Sequence, residues 1–389
     1  MPWKDTLVLD QRLSFVVAYR QGEDSLAAVC RRFGVSAKTG RKWARRYLEN
    51  GPEGLRNRSR APLHHPNAAS AEIVQLVLMA KREHPAWGPR KLIPWLRWRH
   101  PEIELPAPST AGEILRRHGL VQPRKRVRRT DPWTRPFEDC TVPNETWCID
   151  FKGWFRTLNG VRCDPLTITD ACSRMLLCCR GLESQKGRLV RSVMERVFRE
   201  YGLPATMRSD NGTPFASTAP GGLSRLSVWW IKLGIMPERI RPGHPEENGR
   251  HERMHLTLKA EIIAHPMPSM RTLQKVFDGF RWVFNEERPH EALGQNPPAS
   301  VYRSSERSYP SRIREVEYAP EMTVRRVRSN GEIKWKGGLI YLTGALAGEP
   351  VGLVPESENH LAIYFGPLKL CLMDQSTLKI IRITPEWKQ

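Results

Sequence analysis

The sequence predicts a multidomain chain, with all-α helix-turn-helix units at the N-terminus, a central α/β core and a small β-barrel at the C-terminus. Three observations predict it. Positive charge is concentrated at the front, where residues 1–135 hold 27 Lys/Arg against 12 Asp/Glu. At Trp147 helical periodicity gives way to β-branched, aromatic and alternating runs. Three acid-bearing strings then fall at strand and helix ends of that second region. At 389 residues a single hydrophobic core is outgrown, and about two to four domains are expected.

The whole chain carries a charge of +21, from 62 Lys/Arg and 41 Asp/Glu. A phosphate backbone is the natural counter-surface for a basic front end, through counterion release. A membrane partner is disfavoured. No basic helix has a matching face rich in Trp, Phe or Leu, and no run approaches the roughly 20 apolar residues of a span. Met1-Pro2-Trp3-Lys4-Asp5 does not open a signal peptide, so a cytoplasmic protein is expected. The eight cysteines show no C-x-x-C pair and no histidine partners at zinc spacing. They are read as reduced core residues.

Residues 8–50 read as three helices. Asp24 or Ser25 caps a short helix over Leu26–Phe33, Gly34 permits a tight turn, and Ser36 caps a basic helix running through Trp43 to Tyr47. That is the helix-turn-helix pattern. Val35, Thr39 and Trp43 share the core face. Lys38, Arg41 and Arg45 share another and, with Lys42, are the candidate DNA contacts. Gly40 inside this helix is a departure that costs about 1 kcal/mol.

Asn57 to Pro66 is a Pro- and Arg-rich linker. Ala71–His84, a Trp87-Gly88-Pro89 turn, Arg90–Arg99 and a helix capped at Pro108-Ser109-Thr110 and ending at Gly119 make a second helix-turn-helix unit. The run Arg124, Lys125, Arg126, Val127, Arg128, Arg129 is too charged to pack and reads as a connector lying along DNA.

Trp147–Arg156, Val161–Asp170 and Arg174–Leu182 form an antiparallel meander, broken at Asn159-Gly160 and Ala171-Cys172-Ser173. An amphipathic helix, Gly187–Tyr201, and a short strand, Ala205–Ser209, complete a βββαβ order. Beyond Met322 the chain is strand-like again (Leu339–Leu342, Leu361–Phe365, Leu368–Met373), which is the expected barrel.

Three strings carry the chemistry: Trp147-Cys148-Ile149-Asp150-Phe151, Arg208-Ser209-Asp210-Asn211-Gly212, and Pro245-Glu246-Glu247-Asn248-Gly249-Arg250-His251-Glu252-Arg253. An acid inside a strand is costly unless its charge is matched. Three carboxylates converging from separate elements are a hard-oxygen environment for Mg²⁺. Two such ions, about 3.5–4 Å apart, clamp the attacking and leaving oxygens of an in-line phosphoryl displacement.

Together the three strings resemble the catalytic domain of retroviral integrases and of the bacterial insertion-sequence transposases closest to them, the DDE, RNase H-like superfamily. The resemblance covers about residues 140–303 and includes Phe284-Asn285-Glu286-Glu287-Arg288-Pro289-His290-Glu291-Ala292-Leu293-Gly294. It implies a catalytic and metal-binding triad of Asp150, Asp210 and Glu252. In the family's pattern the glutamate follows an Asn/Gln-Gly pair by three residues. Only Glu252 meets that, and Glu246 and Glu247 are expected in a flexible approach loop. The 41 residues between Asp210 and Glu252 exceed the family's usual spacing, a surplus assigned to the loop Ala216–Arg225. Retroviral integrases also carry a lysine at the offset of Lys259, which lies seven residues after Glu252 and on the same helix face. Leu256 stands where they have another.

The resemblance implies a DNA transposase. It would bind terminal inverted repeats and cut and join target DNA with two Mg²⁺ ions, Mn²⁺ being able to substitute. It would act as at least a homodimer on double-stranded DNA, in the bacterial cytoplasm and on the nucleoid. The expected divisions are 1–56 and 70–122 (helix-turn-helix), 57–69 and 123–143 (linkers), 144–303 (RNase H-like catalytic core) and 316–389 (β-barrel). Two rivals are a repressor with an inert core and an RNase H-type nuclease. The intact triad opposes the first and the paired helix-turn-helix units oppose the second.

Overall fold

The computed structural model describes residues 7–58, 69–121, 137, 140–241 and 245–383. Residues 59–68 of the expected linker 57–69, and the basic run with Arg124, Lys125, Arg126, Arg128 and Arg129, lie outside the described residues. The chain forms two compact units, Met1–Ala68 and Ala69–Gln389.

In the first unit, helices α1 (Val8–Arg20), α2 (Leu26–Arg32) and α3 (Ala37–Asn50) enclose Phe15, Val16, Val29, Cys30, Trp43 and Leu55. Ser25, not Asp24, caps α2, and Ser36 caps α3 by accepting from Thr39 N at 3.2 Å. Gly34 takes φ +64° in the turn between them. Gly40 has a packing reason: a Cβ there would run into Cys30 Sγ and the Phe15 ring. Trp43 is buried as expected, while Val35 and Thr39 are only half-buried. The helix propensity lost at Gly40 is the cost of close approach between α3 and the other two helices.

The second unit opens with α4 (Ala71–Glu83), α5 (Pro89–Arg99) and α6 (Pro108–Arg117), packed around Leu92, Trp95, Leu96 and Leu115. Pro108 stands at the start of α6 behind the N-cap residue Ala107, and no side chain caps the helix, contrary to the cap expected at Pro108-Ser109-Thr110. This trio is seated on the core that follows. Val283 packs into its apolar cluster, Arg99 Nη2 lies 2.6 Å from Glu287 Oε1, and Lys91 Nζ donates to the Pro289 carbonyl.

The core sheet contains β1 (Thr146–Phe151), β2 (Phe155–Arg156), β3 (Arg162–Asp170), β4 (Leu176–Leu182), β5 (Thr206–Ser209) and β6 (Met236–Arg239). Its order is β4-β3-β1-β5-β6, with β2 on the end of β3; β1, β3 and β4 pair antiparallel, and β1, β5 and β6 parallel. The first long run therefore divides into β1 and β2, and β6 is an additional strand beyond the βββαβ order. Helices α7 (Gly187–Tyr201) and α8 (Arg225–Lys232) contribute to one apolar cluster with the sheet, and α9 (Gly249–Leu258) and α10 (Met270–Trp282) to another. Asn285 locks the outer strand, accepting from Leu176 N at 2.8 Å and donating to Leu176 O at 3.0 Å.

The C-terminal region is an open sheet rather than a closed barrel among the described residues. Strands β7 (Thr323–Arg326), β10 (Pro350–Pro355), β11 (His360–Phe365), β12 (Leu368–Asp374) and β13 (Ile380–Arg382) run in the order β13-β12-β11-β10-β7, beside a ribbon of β8 (Glu332–Trp335) and β9 (Gly338–Tyr341). Closure is unnecessary because the sheet's apolar side chains share a cluster with Leu223, Val228 and Ile231 of the core. The surplus loop Ala216–Arg225 is thus an ordered seat, closed by an Ala216–Leu223 bridge, with Leu223 fully buried.

Candidate active site

Strand β1 brings Asp150 to the sheet's centre, opposite Thr167 of β3. Its parallel neighbour β5 pairs Cys148 with Arg208, so Asp150 and Asp210 each lie two residues beyond the same rung. Parallel pairing puts both acids at the same edge, where ligands collect in such sheets. Asp210 Oδ1 accepts from Gly212 N at 3.1 Å, the turn made by Asp-Asn-Gly. Glu252 stands exposed in the first turn of α9.

Electrostatics joins the three. The Asp150 carboxyl is pushed up to about 7, first by burial and next by Asp210. The Phe151 N–H and Lys152 pull the other way, and Glu252 adds to the rise. Burial also raises Asp210, against the Gly212 N–H and Arg239. Carboxylates that burden one another in this way suit a hard divalent cation, which removes the repulsion. Asp150, Asp210 and Glu252 fit such an ion by donor type.

Among the other acids, Glu247 accepts from Arg241 N at 2.7 Å and pairs with its guanidinium. Residues Pro245–Asn248 form a 3-10 turn, not the expected loose approach loop. Lys259 is exposed one residue past α9, where a π-helical turn (Lys259–Ile263) begins, so α-helical spacing from Glu252 is kept. Lys38, Arg41, Lys42 and Arg45 are exposed on α3 in the other unit.

Sequence reasoning missed the layer beneath the triad. His251 and His255, buried on α9, both lie 2.7 Å from Thr167 Oγ1, and His251 also meets Thr169 Oγ1 at 2.8 Å. Burial depresses both rings, His251 to about 3 and His255 to about 2. The donor atoms of Asp150, His251 and His255 fall within 4.8 Å of one another. Their signal was legible: His251-Glu252-Arg253-Met254-His255 places two imidazoles four residues apart on one helix face. Arg239 carried no such signal. It is buried, and its guanidinium donates to the Gly222 carbonyl and bears on Asp210.

A cleft of about 1770 Å³ opens between α4–α6 and the core, lined by Lys81, Arg82, Arg90, Lys91, Arg253 and Arg288 among others. Arg253, on its wall, is the residue next to Glu252.

Two models of the Integrase core domain match residues 141–245 and 233–298. A Helix-turn-helix domain model matches 11–62, and a Homeodomain-like domain model matches 39–115. The chain is 27% identical over 278 residues to the insertion element IS476 uncharacterized 39.2 kDa protein of Xanthomonas euvesicatoria, covering 67% of this chain and 75% of that one. It is 28% identical over 159 residues to the insertion element IS407 uncharacterized 31.7 kDa protein of Burkholderia multivorans, covering 41% and 55%. It is 25% identical over 162 residues to the transposase for insertion sequence element IS904 of Lactococcus lactis, covering 41% and 61%. The two integrase-core models span the strands and helix that carry Asp150, Asp210 and Glu252. Residues 141–298 thus match the integrase core, and the chain is similar in sequence to insertion-element proteins, one of them a transposase.

Proposed function

We propose that this protein binds the terminal inverted repeats of its mobile element and catalyses Mg²⁺-dependent DNA cleavage and strand transfer. The observation that carries the reading is that paired strands β1 and β5 bring Asp150 and Asp210 to the same end of the sheet, with Glu252 of α9 near enough to bear on Asp150. In this reading the three are the catalytic and metal-binding residues. Two bound Mg²⁺ ions, or Mn²⁺ in their place, supply charge stabilisation to the attacking and departing oxygens. The chain's own part is to hold the acids at a shared edge and to bring DNA to them.

Residues 1–56 form the repeat-reading domain, with Lys38, Arg41, Lys42 and Arg45 of α3 on DNA. Residues 70–122 form a second helix-turn-helix domain, 144–303 the catalytic core and 316–389 a C-terminal domain built on the open sheet. The segments 57–69 and 123–143 are linkers, the latter with Arg124, Lys125, Arg126, Arg128 and Arg129 along the phosphates. Lys259 holds a phosphate near the reacting end, as a flexible point charge does well. The protein acts as at least a homodimer on paired ends, in the cytoplasm and on nucleoid DNA. No described helix is long and apolar enough to cross a membrane.

The test is to incubate purified protein and Mg²⁺ with labelled inverted-repeat DNA and a target plasmid. Joined products support the reading. Binding without cleavage makes the protein a repressor, and degradation confined to RNA–DNA hybrids makes it a nuclease.

A further inference from the structure

The two histidines of α9 flank the third acid, and their hydrogen bonds fix which nitrogen carries hydrogen. Thr167 Oγ1 lies 2.7 Å from Nε2 of His251, 2.7 Å from Nε2 of His255 and 3.1 Å from the Asp150 carbonyl oxygen. A hydroxyl has one proton and two lone pairs, and a carbonyl only accepts. Thr167 therefore donates to Asp150 O and accepts from both rings, so both Nε2 atoms are protonated. A neutral ring that carries its hydrogen on Nε2 has a bare lone pair on Nδ1.

The two lone pairs have different surroundings. That of His251 accepts from the Thr169 hydroxyl at 2.8 Å. That of His255 has no hydrogen bond among the described residues and faces Asp150 Oδ2 at 3.8 Å. Asp150 Oδ1 is already taken by the Phe151 N–H at 2.7 Å. The unbonded nitrogen and the free carboxylate oxygen are thus separated by a gap too long for a hydrogen bond.

We propose that His255 Nδ1 is a metal ligand beside Asp150 Oδ2, making the Asp150 site a mixed nitrogen–oxygen site that favours Mn²⁺ over Mg²⁺. This rests on the reading that the triad holds divalent ions. Two ligands, each about 2.1 Å from one ion, are at most about 4.2 Å apart, which accommodates the 3.8 Å gap. Imidazole suits transition ions, whereas Mg²⁺ takes oxygen donors. The string H-E-x-x-H is the spacing by which two helix histidines hold zinc. Here threonines occupy both nitrogens of His251, so of the two histidines only His255 remains for the ion.

The test uses full-length protein stripped with EDTA. Pulsed EPR of the Mn²⁺-loaded wild type should show nitrogen modulation from a directly bound imidazole. Titration followed by EPR of free Mn²⁺ should show His255→Gln, whose amide reaches Thr167 but has nothing at the Nδ1 position, binding Mn²⁺ about tenfold or more weakly. Its Mg²⁺ affinity, read by competition, should fall much less. No nitrogen modulation in the wild type overturns the ligand whether or not the variant folds. So does unchanged Mn²⁺ affinity in His255→Gln, or an equal loss of both ions, which would make His255 a positioning residue. Undiminished binding of both ions by Asp150→Asn would instead overturn the metal reading of the triad itself.

Discussion

Asp150 is where residue-scale physics and function meet. Its carboxyl is held at about 7 against an ordinary 3.8. A raised carboxyl pKa means that the folded protein keeps a proton which the unfolded chain releases. Its contribution to stability is whole below the ordinary value and is lost as pH rises through the folded value. Metal-free protein is therefore expected to lose thermal stability from about pH 4 to pH 7 by this term, and Asp150→Asn to flatten the slope. Melting curves in EDTA across that range check it, and parallel slopes in the two proteins would contradict it. With Mg²⁺ and DNA present, Asp150→Asn, Asp210→Asn and Glu252→Gln should each lower cleavage and joining by several orders of magnitude while sparing repeat binding. Glu247→Gln is the contrasting variant, because that acid is committed to Arg241. An active Glu252→Gln beside an inactive Glu247→Gln would move the third acid.

At the scale of elements, α9 meets β3 through two threonine hydroxyls, of which Thr167 serves both rings. Thr167→Val keeps the shape but leaves the Nε2–H groups of buried His251 and His255 without an acceptor. A cost of about 1–3 kcal/mol for each orphaned group follows, measurable by chemical denaturation. No loss of stability would mean the rings find other partners. The exposed face of α3 gives a second expectation, since base readers and phosphate contacts differ in what they do to specificity. Arg41→Ala should narrow the preference for the terminal repeat over random DNA. Arg45→Ala should weaken both alike and reduce the salt slope by about 1. Competition binding at several salt concentrations separates the two, and identical behaviour of both variants would leave α3 without a base-reading residue.

The whole molecule shows why the C-terminal sheet stays open. Its inner face is covered by Leu223, Val228 and Ile231, and Lys232 adds a contact to Glu349 at 2.7 Å. Removing residues 316–389 should therefore destabilise the catalytic core and promote its association, beyond any loss of DNA contact. Thermal melting and sedimentation of the truncated protein check this. A monomeric core with an unchanged melting point would show that the two pack independently. The same logic holds at the other end, where α4–α6 rest on Val283, Glu287 and Pro289 and share a basic cleft with the core.

The sequence by itself determined what is local. Helix caps, the Gly34 turn, the βββαβ meander and the spacing of Asp150, Asp210 and Glu252 are written in residues a few positions apart, where periodicity and turn chemistry operate. Tertiary structure alone decided what depends on distant partners. Gly40 makes sense only beside Phe15 and Cys30, and the surplus loop only against the C-terminal sheet. His251 and His255 were visible as a pair on one helix face, yet their role depends on Thr167 and Thr169, more than 80 residues earlier. A hydrogen-bond count assigns which ring nitrogen carries the hydrogen, and no count can be made until the chain has folded and brought those groups together.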